Sequence, residues 1–324
     1  MKAAVYDRYG PPEVMRITDV DKPTPRDDEI LVKVYSTTVT AGDYRVRTLD
    51  TPAGFRLMSR IVFGVSTPRK PILGSELAGD VASVGKDVRS FAVGDAVVAF
   101  TDAGLGCHAE YRCVPESGIV VRKPQNLTYE QSAALCFGGT TALHFLRKAK
   151  LKAGERVLVN GASGAVGTAC VQLAHHLGAE VTGVCSTANI ELVRSLGATH
   201  VVDYTREDFV HSGQTYDVII DVADTARFAL SKRALTENGR LLLVSAPLAE
   251  LLKAPFSSLL RRQKVIGGVA LGRLDDVQQL VRLAEEGVYT PVIDRTYAFA
   301  DIVEAHRYVA TRRKKGNVVL VLDQ

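Results

Sequence analysis

Along the first 123 residues the apolar positions fall in short runs broken by turn formers: L-V-K-V-Y-S at 31–36, L-A-G-D-V-A-S-V-G at 77–85, V-G-D-A-V-V-A-F at 93–100. Runs of this length and spacing predict the strands of a small, irregular β-rich unit. From about residue 150 the rhythm changes to apolar run, glycine turn, amphipathic stretch. R-V-L-V-N at 156–160 precedes A-V-G-T-A-C-V-Q-L-A-H-H-L-G at 165–178, and E-V-T-G-V-C at 180–185 precedes A-N-I-E-L-V-R-S-L-G at 188–197. Strand alternating with helix predicts βαβ units and a parallel sheet. The alternation continues through H-V-V-D-Y at 200–204, Y-D-V-I-I-D-V at 216–222, a helix-like T-A-R-F-A-L-S-K-R-A-L at 225–235, R-L-L-L-V-S at 240–245 and K-V-I-G-G-V-A at 264–270. A helix is expected over about 274–286. Beyond Pro291, D-I-V-E-A-H-R-Y-V-A predicts one more helix and N-V-V-L-V-L a closing strand. A lone helix and strand cannot bury a core, so this tail is expected to rejoin the first unit. The expected organisation is an α/β protein with a β-rich domain from 1–123 and 290–324, and a doubly wound parallel-sheet domain over 124–289.

Composition narrows the class of protein. With 324 residues, 46% hydrophobic and 23% charged, and no low-complexity tract, the chain reads as globular rather than disordered or fibrous. The formal charge of +4 argues weakly for an anionic ligand and hardly at all for nucleic acid. Basic clusters such as Arg312, Arg313, Lys314 and Lys315 read as solvated surface. No apolar run approaches the ~20 residues of a membrane span, and M-K-A-A-V-Y-D-R-Y-G has no apolar core followed by a cleavage signal. A cytoplasmic protein without nucleic-acid or membrane partners is the expectation. Five cysteines (Cys107, Cys113, Cys136, Cys170, Cys185) with no C-x-x-C pair predict neither a disulfide framework nor a zinc knot. His175 and His176 point about 100° apart on a helix, a poor shared metal site.

The strongest chemical signal is V-L-V-N-G-A-S-G-A-V-G at 157–167, an apolar strand running into Gly161, Gly164 and Gly167 and then into a helix. In that context glycines let the backbone turn sharply and approach a pyrophosphate seated on the helix N-terminus. An NAD site places Asp or Glu at the end of the second strand to hold the ribose 2′-hydroxyl. This chain has Val184, Cys185, Ser186 and Thr187 there. Without a carboxylate to repel a 2′-phosphate, and with two hydroxyls at hand, NADPH is favoured over NADH.

Several segments together carry a family likeness: the opening M-K-A-A-V-Y-D-R-Y-G-P-P-E-V, P-I-L-G-S-E-L-A-G-D-V-A-S-V-G, F-A-V-G-D-A-V, the N-G-A-S-G-A-V-G loop with Gln172 beyond it, and L-G-A-T-H-V-V-D-Y. On these the chain resembles the medium-chain dehydrogenases/reductases of the zinc-independent quinone oxidoreductase (zeta-crystallin-like) branch, nearly end to end. The resemblance implies a Rossmann domain joined to a GroES-like substrate domain. It also implies a cofactor site made from Thr141, Gly161, Ser163, Gly164, Ala165, Val166, Gly167, Ser186, Thr187, Asn189, Tyr204, Val222 and Ser245, with Tyr204 near the adenine. A homodimer through the edge strand at 264–270 is implied as well. Two positions depart from the pattern. The loop has Gly164, Ala165, Val166, Gly167 where the branch usually has G-G-x-G, and Ala188 and Asn189 stand where NADPH-binding relatives often have Lys or Arg.

Zinc-dependent members of that superfamily hold the metal at positions that fall here on Thr40, Ser75 and at or next to Phe137. Hydroxyls are feeble zinc ligands beside thiolate and imidazole, and Glu76 with the offset Cys136 cannot complete a tetrahedron, so the chain reads as metal-free. Without a Lewis acid, simple alcohol oxidation loses its activator, whereas a quinone or α,β-unsaturated ketone spreads the incoming charge itself and needs only hydrogen-bond donors. The expected activity is NADPH-dependent reduction of such acceptors, with Thr40, Asp43 and Tyr44 of V-T-A-G-D-Y as catalytic candidates and Thr141 near the nicotinamide. Each has a structural alternative: Asp43 as a cap, Tyr44 as core, Thr141 as a helix-start residue. Two other functions stay open. One is a 2-enoyl thioester reductase whose apolar pocket is shaped by 246–260; the other is an NADPH-binding redox sensor or partner-binding protein with little turnover.

Overall fold

A computed structural model describes residues 1–225, 228–250 and 262–322, and divides the chain into two compact units. The first comprises Met1–Thr51, Arg56–Phe137 and Gly272–Gln324; the second comprises Pro52–Phe55 and Gly138–Leu271.

In the first unit β1 (Lys2–Tyr6) pairs antiparallel with β2 (Met15–Asp19). Its main sheet contains β3 (Glu29–Val39), β4 (Glu76–Val84), β5 (Ala96–Phe100), β6 (Tyr111–Pro115), β7 (Val120–Arg122), β14 (Ile293–Ala298) and β15 (Asn317–Val321). The order is β14-β15-β3-β4-β5-β7, with β6 also on β3. The period of two along the strands decides what is buried: Ile30, Val32 and Val34 of β3 and Val318 and Leu320 of β15 enter one core with Leu77 and Val81. Helices α1 (Ala41–Thr48), α2 (Arg56–Phe63), α3 (Tyr129–Ala133), α8 (Leu274–Glu285) and α9 (Ile302–Ala310) belong here, and α9 adds Ile302, Ala305 and Val309 to that core.

The second unit is built on β8 (Arg156–Asn160), β9 (Glu180–Cys185), β10 (His200–Asp203), β11 (Tyr216–Asp221), β12 (Leu235–Leu243) and β13 (Lys264–Gly267). All pairs are parallel and the order is β10-β9-β8-β11-β12-β13. Buried runs such as Val157, Leu158 and Val159, or Val218, Ile219 and Ile220, are what a strand covered on both faces requires. Helices α5 (Ala165–His176), α6 (Ile190–Ser195) and α7 (Phe228–Ser231) lie here, and α4 (Cys136–Ala149) runs across the chain division at its first turn. The strand order reverses between β8 and β11, which is where such sheets bind ligands, beyond the carboxyl ends of the strands.

Three features differ from the sequence expectation. The units divide at 137/138 and 271/272 rather than 123/124 and 289/290. Asn126 Nδ2 donates to Ala284 O at 2.8 Å, and the Gly272 N–H donates to Asp102 at 3.2 Å, which fastens both flanking segments to the first unit. The helix expected at 225–235 is, in its described residues, the single turn α7; Leu235 already pairs as strand. Gln263 Nε2 donates to the carbonyls of Lys232, Leu235 and Thr236, each at 3.1 Å, so those acceptors are taken by a side chain instead of a helical ladder. The helices α2 and α3 went unforeseen, and α1 and α4 entered only through Asp43 as a cap and Thr141 as a helix-start residue. The proposed pocket segment 246–260 falls mostly outside the described residues.

Candidate functional site

At the strand-order reversal the two strands are pinned together at their C-terminal ends. Asn160 Nδ2 donates to Asp221 Oδ1 and to Thr225 Oγ1, both at 2.8 Å, and the Val222 N–H donates to Asn160 O at 3.0 Å. From Asn160 the chain enters the glycine loop, and its three glycines do different things. Gly161 has φ +86°, a left-handed turn that favours glycine. A Cβ on Gly167 would lie 2.0 Å from Gly161 O, so α5 packs directly on the loop backbone. Gly164 has an extended backbone (φ −81°, ψ 174°), and a Cβ there would meet nothing nearer than Gly161 O at 3.7 Å. Neither conformation nor packing within the protein calls for glycine at 164.

Gly164 is also the N-cap of α5, and no side chain caps that helix. The first-turn N–H groups of Ala165, Val166 and Gly167 therefore face a space kept open by the missing Cβ, an arrangement that suits an anion. A dinucleotide pyrophosphate fits it. Gly138 brings α4 against the same turn, since a Cβ there would lie 2.7 Å from Ala165 O. Thr141 sits in the second turn of α4 and not at its start.

The neighbouring corner, at the ends of β9 and β10, is a polar network. Asn189 Nδ2 donates to Ser163 Oγ at 3.1 Å and to Ser186 Oγ at 3.3 Å, joining the glycine loop to the β9 turn. Its Oδ1 is buried with no partner in the protein. Thr187 differs from the sequence reading, which offered its hydroxyl to a 2′-phosphate. Its Oγ1 donates to Asp203 Oδ2 at 2.5 Å, and Thr205 donates to the other carboxylate oxygen at 2.7 Å. These hydroxyls hold the Asp203 carboxyl below its ordinary pKa. Arg206 Nε lies 3.6 Å from Asp203 Oδ2. Arg206 comes from D-Y-T-R, just past the end of β10, whereas the sequence reading looked for a cation only directly after Ser186 and Thr187. Tyr204 anchors its N–H on Cys185 O at 3.1 Å and leaves its ring 63% exposed. Ser245, just past β12, carries a buried hydroxyl with no partner.

In the first unit the catalytic candidates come together but are not free. Thr40 caps α1: its Oγ1 accepts from the Asp43 N–H at 3.1 Å, while its own N–H and hydroxyl donate to Asp43 Oδ2 at 2.8 and 2.6 Å. Asp43 Oδ1 accepts from the Gly74 N–H at 2.9 Å, and both residues are buried. These hydrogen bonds fix the first turn of α1 onto the approach to β4. Tyr44, in that turn, is half-buried; its hydroxyl donates to Asp50 Oδ2 at 3.0 Å, which also receives Arg312 Nη2 at 2.7 Å. Another buried acid, Glu76, accepts from Thr38 Oγ1 at 2.5 Å and from the Phe137 N–H at 2.6 Å, at the start of α4. Burial outweighs these donors and raises its pKa to about 7.

Residues 26–125 match the alcohol dehydrogenase GroES-like domain family, and residues 196–320 match a family described as zinc-binding dehydrogenase. Over 333 residues the chain is 30% identical to the chloroplast envelope quinone oxidoreductase homolog of Arabidopsis thaliana, covering 99% of this chain and 98% of that protein. The chain belongs to the medium-chain dehydrogenase/reductase superfamily, in its quinone oxidoreductase branch. The structure of the quinone oxidoreductase from Coxiella burnetii superposes with a TM-score of 0.88 at 27% identity, covering 100% of this chain and 99% of that one. The NADPH-dependent alkenal/one oxidoreductase of Arabidopsis thaliana is 28% identical over 332 residues, covering 99% of this chain and 79% of that protein.

Membership of this superfamily raises zinc directly, and the donor set answers it. Thr40 is closed in its cap and Phe137 offers only a backbone N–H, while Ser75 has a buried hydroxyl with no partner in the protein. Burial raises the Cys136 thiol well above its ordinary pKa, so it resists becoming the thiolate that zinc needs. Among the described residues no three His, Cys, Asp or Glu side chains gather in a way that could hold a metal. These residues do not fit a superfamily zinc centre.

Proposed function

We propose that this medium-chain dehydrogenase/reductase is a zinc-independent, NADPH-dependent reductase of quinones and α,β-unsaturated carbonyls. One observation carries the reading: Gly164, free of any conformational or packing demand, opens the uncapped end of α5 to an anion, on a loop that Asn189 joins to Ser186 at the β9 turn. The names of similar proteins, quinone oxidoreductase and NADPH-dependent alkenal/one oxidoreductase, support the reaction class. Bound there, the nicotinamide would supply the hydride.

The chain's own residues divide the remaining work. The α5 N-terminus would bind the pyrophosphate, with Ser163 and Asn189 holding the loop against the β9 turn. Ser186 and Arg206 would bind the 2′-phosphate, Arg206 turning from Asp203, whose charge remains held by Thr187 and Thr205. The Tyr44 hydroxyl would donate to the developing enolate or hydroquinone oxygen. Thr40 and Asp43 set the turn that carries it. The exposed Val269 and Leu271 beyond the edge strand β13 favour a homodimer there, which light scattering at micromolar concentration tests by mass.

The test of function is steady-state oxidation of NADPH with a quinone, an enone and a simple aldehyde, with and without chelator. The expected result is turnover of the first two, little of the third, and no effect of chelation. Chelator-sensitive aldehyde or alcohol turnover would overturn the assignment, and absence of turnover with tight NADPH binding would favour the sensor reading.

A further inference from the structure

Helix α2 presents its apolar side outward. Leu57, Met58, Ile61 and Val62 occupy an arc of about 140° at 100° per residue. These four and the following Val65 are between 52% and 73% exposed. The opposite side, with Ser59, Arg60 and Phe63, is the half-buried one. A surface helix ordinarily turns its apolar stripe to the core, so this stripe awaits an apolar surface.

Charge identifies the kind of surface. Residues 51–75 contain Arg56, Arg60, Arg69 and Lys70 and no acid, so they carry the whole +4 of the chain, the remainder summing to zero. Arg60 donates to the Val65 carbonyl and closes the helix end, and Lys70 Nζ rests on the Ala103 and Gly104 carbonyls at 3.0 Å each while its side chain stays exposed, as do Arg56 and Arg69. Beneath the C-terminal half of α2 lies a cavity of about 350 Å³, lined by Tyr6, Val62, Phe63 and Leu105, with Arg69 and Lys70 on its wall. An apolar stripe ringed by cations, beside a pocket with an apolar floor and two cations, matches an anionic amphiphile. We propose that α2 and the segment through Lys70 form a docking surface for an anionic phospholipid membrane, with the stripe inserted among acyl chains and Arg56, Arg69 and Lys70 on lipid phosphates. The absence of a spanning segment does not bear on a helix that lies in the interface. Docking of this kind would give a quinone reductase access to acceptors dissolved in the bilayer, but the surface itself does not depend on that activity.

The test is co-sedimentation of the full chain with vesicles of phosphatidylcholine containing phosphatidylglycerol, against phosphatidylcholine alone. Binding should need the anionic lipid and weaken with salt. Each cation contributes about a five-fold factor near such a surface, so Arg69→Ala with Lys70→Ala should lower partitioning about 25-fold. Leu57→Glu with Ile61→Glu should lower it by more than about ten-fold. Unchanged thermal midpoints would show both variants folded, the substituted side chains being exposed. Failure to sediment with anionic vesicles, or sedimentation indifferent to both variants, would overturn the proposal. So would a dimer by light scattering that Leu57→Glu with Ile61→Glu dissociates, since a second copy would then be what covers the stripe.

Discussion

Replacing Gly164 by alanine separates a glycine kept for a ligand from one kept for the fold. Its backbone is in a region any residue adopts, and the new methyl would sit 3.7 Å from Gly161 O, ordinary contact. Alanine at an N-cap costs about 0.5–1 kcal/mol relative to better caps, and loss of glycine freedom in the unfolded chain returns about 0.4–1 kcal/mol, so stability should change little. The same methyl would occupy the space through which an anion reaches the first-turn N–H groups of α5. Hydrogen bonds to a charged group are worth about 1.5–3 kcal/mol, and losing one predicts roughly 10- to 150-fold weaker NADPH binding. Gly167→Ala gives the opposite pattern, because its methyl would lie 2.0 Å from a backbone oxygen and α5 would have to move off the loop. That strain, at about 1–3 kcal/mol or more, should appear as a lowered melting temperature with no ligand present. Thermal unfolding without cofactor and fluorescence titration with NADPH read the two effects separately. Parent-like affinity in Gly164→Ala would refute the seat of the pyrophosphate, and a large loss of cofactor-free stability would show that the fold needs this glycine after all.

Arg206→Ala should weaken NADPH several-fold while leaving NADH unchanged, read as paired titrations; equal losses would mean that Arg206 only steadies Asp203. Tyr44→Phe should lower kcat for an enone more than for a strongly electrophilic quinone, which stabilises more of its own charge, with NADPH affinity constant. Parent rates on both acceptors would remove Tyr44 from the reaction. Glu76, raised from the ordinary 4.5 to about 7 by burial, binds its proton more tightly folded than unfolded. Its stabilising contribution is therefore complete below about pH 4.5 and lost as pH rises through about 7, a difference of about 3 kcal/mol. Glu76→Gln should flatten that part of the urea-unfolding profile between pH 5 and 8, and a parallel profile would place the proton elsewhere.

How far the sequence revealed all this depended on whether the signal was local. The parallel sheet was legible because strands buried on both faces must be apolar runs, and the glycine loop because strand, turn and helix adjoin in the chain. V-T-A-G-D-Y was ambiguous for a physical reason: a threonine three residues before an aspartate is both a polar cluster and a helix cap, and only the hydrogen bonds of Asp43 to Thr40 and Gly74 decide between them. The same holds at the nucleotide corner. Thr187 looked like a donor to phosphate until Asp203, sixteen positions later but on the next strand, took its hydroxyl. The carboxylate that accepts Thr187 also lies 3.6 Å from Arg206, so on the proposed reading a cation replaces one expected phosphate ligand. On that same reading, cofactor preference is a property of two adjacent strands. A substitution at Asp203 should alter it even without touching the cofactor: Asp203→Asn would keep an acceptor oxygen for one of the two threonine hydroxyls, set an amide donor against the other, and release Arg206 from its counter-charge, tightening NADPH relative to NADH. Loss of the preference in that variant would show that Asp203 is needed to aim Arg206 rather than to restrain it.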